Sequence, residues 1–163
     1  IDKILRFKKQ IKEGKLSLDC FSTISSLSKI SSFLEPEKFV IYDSRVIYSL
    51  NWLILTCENQ NELKEKCFPM PTGRNKIIAD FDMNTIINLS HISEYEKMDE
   101  LFISKQRAYF DFCGFVQKKK KNIYGLNSKP YELEMLLFTL ADKEIFADLK
   151  DTLKITTGIT GNR

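Results

Sequence analysis

The chain has 163 residues, 43% of them hydrophobic and 29% charged, with a formal net charge of +3. That length supports one domain with its own core, and the composition is that of an ordinary globular protein. Six glycines and four prolines are too few for a turn-rich β-sandwich, so long helices are expected, while a net +3 permits an anionic partner without demanding one.

Ile1 to Glu13 carries Ile1, Ile4, Leu5, Phe7 and Ile11 near helical spacing, with Gly14 as a stop. Leu18 to Leu34 continues as a helix whose residues Ile24, Leu27, Ile30 and Leu34 share one face. Ser22, Ser25, Lys29 and Ser32 share the opposite one. Pro36 ends it, because the residue before a proline avoids helical dihedrals. "FVIY" (Phe39 to Tyr42) is expected to run extended into a buried turn. Asp43 or Ser44 then caps a helix to Leu55 that buries Val46, Ile47, Leu50, Leu53 and Ile54.

From Asn59 to Glu96 the pattern fades into a "FPMPTGRNK" loop and a short helix around Thr85 to Leu89. Asp99 to Val116 reads as helix, followed by the basic run Lys118 to Lys121 and a turn. "NSKPYELEMLLFTLADKEIFADL" reads as one helix with Ser128 as N-cap and Pro130 at its start. Glu132 and Glu134 lie near the positive end of its dipole, and Leu133, Leu136, Leu137 and Leu140 face the core. A tail from Thr156 is expected to fray. The expectation is one all-α domain over residues 1–155.

Cys20, Cys57, Cys67 and Cys113 form no CxxC pair, which favours reduced thiols in a cytoplasmic protein. No run approaches about eighteen apolar residues and nothing resembles a signal peptide, so no membrane is expected. Asp80 and Asp82 in "ADFD" would point to one side of an extended chain, but no third carboxylate joins them, and neither a metal nor another cofactor is expected. The single His91 reads as a cap or surface residue.

Two constellations carry chemistry. Lys29 lies on a serine-rich helix face, where a partly buried amine can attack an electron-poor carbon, and Asp43 at a helix start is a fixed carboxylate, although spacing alone favours a solvated Lys29 and an Asp43 that only caps. Arg45 could pair with Asp43 or face a phosphate, and Tyr42 and Tyr48 either stack on a base or, the favoured reading, serve the structure. The second constellation is Lys118, Lys119, Lys120 and Lys121, which with Lys105, Arg107 and Tyr109 could track a nucleic-acid backbone, or, the favoured alternative, form a solvated helix end whose lysines complement the C-terminal dipole.

The segment Phe21 to Leu50, above all "SKISSFLEPEKFVIYDSRV", resembles the catalytic segment of the helix-hairpin-helix DNA glycosylase superfamily, most closely its 8-oxoguanine glycosylase branch. Lys29 matches the family's lysine, Ile41-Tyr42-Asp43 its "P-V-D" turn, and Val46 the apolar residue three positions on. The segment departs from the family at "STISSLSK" (Ser22 to Lys29), which has none of the hairpin glycines. The resemblance implies a helical fold and double-stranded DNA as partner. It also implies removal of a damaged base through a Schiff base on Lys29, with Asp43 as carboxylate partner and Ser25, Ser28 and Arg45 toward DNA. The alternative expectation is a non-catalytic nucleic-acid- or protein-binding module of the same fold, of the kind that serves in bacterial defence.

Overall fold

The computed structural model describes residues 2–57, 65–72, 86 and 98–152. Helix α1 (Asp2–Glu13) ends at Gly14, whose φ of +71° a side chain would disfavour. The expected continuous helix from Leu18 is instead two: α2 (Leu18–Phe21), capped by Ser17 Oγ, and α3 (Ile24–Leu34). The break falls where Ser22 and Thr23 turn their hydroxyls back onto the carbonyls of Asp19 and Cys20, offering the backbone an alternative to the helix. Helix α3 stops just before Glu35-Pro36, as the proline dictates.

After residues 39–43, which adopt no regular secondary structure, comes α4 (Ser44–Cys57). Its first nine residues are buried apart from Arg45, so it is wrapped on all sides rather than along one stripe. Val46, Ile47 and Leu50 join a core with Phe7, Ile24, Leu27, Phe112, Val116, Leu133 and Leu137. Tyr48 and Trp52 face a second cluster with Ile86, Leu101, Ile145 and Leu149. Each such aliphatic side chain withdrawn from water contributes about 1.5–3 kcal/mol.

The expected helix from Asp99 is displaced. Met98–Leu101 forms a short 3₁₀ turn, and the chain then pairs in parallel with Cys67 through Cys67 N–H to Leu101 O (2.9 Å) and Ile103 N–H to Cys67 O (2.8 Å). Helix α5 (Ala108–Tyr124) begins later and runs through the lysine run, which therefore lies within the helix and not after it. Gly125, at φ +90°, ends it.

Helix α6 (Pro130–Leu140) passes through a π-turn (Ala141–Ile145) into α7 (Phe146–Thr152). Lys129 takes the N-cap place expected for Ser128, because the Ser128 hydroxyl bonds Gly125 O while Glu132 accepts from Lys129 N–H. Leu133 and Leu137 are buried, and Leu136 and Leu140 pack half-buried beside them. The described residues form an all-α structure with no strand beyond that single bridge, and none of its helices is long and apolar enough to cross a membrane. The expectations for Asp80, Asp82, His91 and the tail fall outside the described residues, as does that for Thr85 to Leu89 except for Ile86.

Candidate functional site

Residues 39–43, outside any helix and buried or half-buried, lie where an unpaired backbone group costs free energy, and buried side chains supply partners. Ser28 Oγ accepts Tyr42 N–H at 3.0 Å, and Glu134 Oε2 accepts Ile41 N–H at 2.8 Å. The Tyr109 hydroxyl donates to Val40 O at 3.2 Å and lies 2.6 Å from Ser31 Oγ. Asp43 Oδ1 accepts Arg45 N–H at 2.9 Å, closing the first turn of α4 as its N-cap. Asn51 holds a neighbouring segment the same way, donating to Phe68 O at 2.7 Å and accepting Phe68 N–H at 2.8 Å.

Burial sets the proton affinities in this hub. It pushes Glu134 up from the ordinary 4.5 to about 6; the Ile41 N–H opposes the shift and the nearby Asp43 charge adds to it. It also raises the Cys113 thiol to about 12 and takes Tyr42 and Tyr109 above the usual tyrosine range.

The Ser28–Tyr42 bond fastens the residue before Lys29 to the residue before Asp43, so the two candidate groups follow directly on one anchored contact. Their environments differ. Asp43 is half-buried and engaged as a cap, whereas Lys29 is exposed and forms no ion pair among the described residues. The partial burial expected to activate its amine is absent, because α3 buries the row Ile24, Leu27, Ser28 and Ser31 and turns position 29 outward. Leu34, grouped with Ile24 and Leu27 on the apolar face, is nonetheless exposed as the last residue of α3, beside Phe33.

The other expected nucleic-acid contacts are engaged within the fold or buried. Ser28 is fully buried and its hydroxyl is used by Tyr42 N–H, so it presents nothing to DNA. Ser25 is half-buried and donates to Thr72 O at 3.4 Å. Tyr42, Tyr48 and Tyr109 are all buried and cannot stack on a base. The Tyr42 hydroxyl donates to Pro69 O at 2.8 Å, and its ring meets Phe21 and Phe112 edge-on at 5.6 and 5.4 Å. Arg45 pairs with Asp142 at 3.0 Å and lies 4.7 Å from the Phe138 ring centroid, which ties α4 to α6 and the π-turn. Arg107 is likewise taken by Asp111 at 3.1 Å.

The basic run divides. Lys118, Lys119 and Lys121 are exposed and none is in an ion pair among the described residues. Lys120 is buried, and its ammonium donates to Ser128 O at 2.8 Å. It is thereby removed from the set of phosphate-facing lysines, because it continues the buried row Phe112, Cys113 and Val116. Among the described residues no group of three or more His, Cys, Asp or Glu side chains could hold a metal ion.

Glu134, Ser31 and Asn51 were missed from sequence. Glu134 had a readable signal: it shares the helical row Pro130, Leu137 and Ala141, all buried. Comparison with known proteins returned no matching family model, curated protein or solved structure, so the glycosylase resemblance rests on Phe21 to Leu50 alone.

Proposed function

We propose that the protein is a nucleic-acid-binding helical module. The observation that carries this reading is the final part of α5, where Lys118, Lys119 and Lys121 are exposed within four residues and form no ion pair among the described residues, with Lys119 Nζ 5.9 Å from the Phe115 ring centroid. Each phosphate that such a lysine neutralises releases condensed counterions, so affinity should fall with salt with a log–log slope of about −2 to −3 for three contacts. Arg45, Arg107 and Lys120 are engaged within the fold and add nothing to that slope.

Base excision at Lys29 is a second reading, favoured by the Ser28–Tyr42 anchor that sets Lys29 and Asp43 on either side of one contact. In it, a flipped nucleotide would offer its sugar C1′ to the Lys29 amine. The neutral Lys29 nitrogen would bond to C1′ as the glycosidic C1′–N bond breaks and the base leaves with the electron pair, taking one amine proton. The C1′–O4′ bond would then open with the second proton passing to O4′, leaving the C1′=N imine. Asp43 would stabilise the positive charge developing on the sugar.

One experiment separates the readings: titrate duplexes with and without 8-oxoguanine at two salt concentrations, then add borohydride. Salt-sensitive binding to both duplexes without a covalent adduct supports the non-catalytic module. An adduct that disappears in Lys29→Ala establishes excision, and no binding at the lower salt sinks both.

A further inference from the structure

The end of the molecule that carries the exposed lysines also exposes rings and aliphatic side chains. Gly125 turns the chain out of α5, and the 125–129 loop folds back on the helix. Lys120 Nζ donates to Ser128 O and Ser128 Oγ to Gly125 O at 2.7 Å. That fold-back brings Tyr131, in the first turn of α6, to the same end as Tyr124, in the last turn of α5. Tyr124 is 46% exposed and Tyr131 53%, with Ile123 at 54% and Leu126 at 83% beside them. Lys129 at this end is neutralised by Glu37 at 2.7 Å, whereas Lys118, Lys119 and Lys121 are exposed and in no ion pair among the described residues, Lys119 also lying over the Phe115 ring at 5.9 Å.

Exposed rings in a cationic surface have a specific use. In a duplex both faces of every base are covered by its neighbours, so an exposed tyrosine finds nothing to stack on. In an unpaired strand each base offers a bare π-face while the phosphates remain to be neutralised. A second copy of this chain is a poor occupant, because a self-complementary contact here would oppose the same three lysines. Resting on the nucleic-acid reading, we infer that this end takes an unpaired nucleic-acid strand, with Tyr124 and Tyr131 as base platforms and Lys118, Lys119 and Lys121 along its phosphates.

The test is fluorescence anisotropy with a labelled oligo-dT strand and a duplex of equal length, on the full chain. The single strand should bind more tightly. Tyr124→Ala and Tyr131→Ala should each weaken it about tenfold and leave the duplex unchanged. Tyr124→Phe and Tyr131→Phe keep the ring and should keep the affinity, which separates stacking from a folding defect. Lys118→Gln with Lys121→Gln should weaken both ligands and flatten the salt dependence. Equal affinity for duplex and strand, or tyrosine-to-alanine variants without effect, would overturn the single-strand assignment while the nucleic-acid reading stands. Binding of neither oligonucleotide would overturn both, and binding of anionic phosphatidylserine vesicles in their place would assign the face to lipid.

Discussion

Along α5 the segment from Ala108 to Val116 buries Tyr109, Phe112 and Cys113, whereas the final part turns Lys118, Lys119, Lys121, Ile123 and Tyr124 toward solvent. The same helix thus serves two regions governed by different physics. In the interior hub a polar side chain earns its place by satisfying a backbone group that water cannot reach, so its loss leaves an orphan. At the exposed end a charge is already solvated, so its removal changes what the surface attracts and hardly touches stability.

The strongest way to break that contrast is at Asn51. Asn51→Ala strips both the N–H and the C=O of Phe68 of their partners and should destabilise the protein by about 3–4 kcal/mol in urea unfolding. A loss below about 1 kcal/mol would mean that water reaches Phe68. Ser28→Ala removes one acceptor and should cost about 2 kcal/mol by the same measurement.

Glu134 sharpens the contrast through pH. Its folded-state affinity for a proton is raised, from 4.5 to about 6, so the stability it contributes is full below about pH 4.5 and is lost as pH rises through about 6. The shift corresponds to a cost of about 2 kcal/mol for the ionised form at neutral pH. Glu134→Gln keeps an acceptor for Ile41 N–H without the charge. It should therefore be about 1–2 kcal/mol more stable than the parent at about pH 8 and equal to it near pH 4. Parallel stability–pH curves for the two proteins would refute that.

The smallest effect is the most local. Within four consecutive lysines, Lys120→Ala should cost about 1 kcal/mol through the lost Ser128 bond and lost packing of its stem. Lys119→Ala should stay within about 0.5 kcal/mol of the parent. Equal thermal midpoints for the two variants would show that the Lys120 contact stabilises nothing.

Much of the helical architecture was legible. Gly14, Pro36 and Pro130 punctuate the chain through backbone dihedrals that belong to the residues themselves, and Asp43 caps α4 by a contact two residues away. The misreadings arise where distant segments decide. Leu101 to Ile103 carries helical spacing but pairs with Cys67 instead, and Ser28, Ser31, Lys120 and Glu134 look like surface residues by type. Each of those four continues an apolar row at three- or four-residue spacing, so position on the helix, rather than polarity, was the better guide. Which group each one meets was not readable, because Tyr42, Tyr109, Ile41 and Ser128 become their partners only through tertiary packing.

The cysteines give the molecule a built-in clock. Cys20, Cys67 and Cys113 are shut inside while Cys57, at the end of α4, is open. A maleimide should therefore consume one thiol at once, leaving a singly labelled protein whose dye sits at a known helix end. The other three then react only when the interior opens, and the rate of that slow phase measures how often each part of the core comes apart under native conditions.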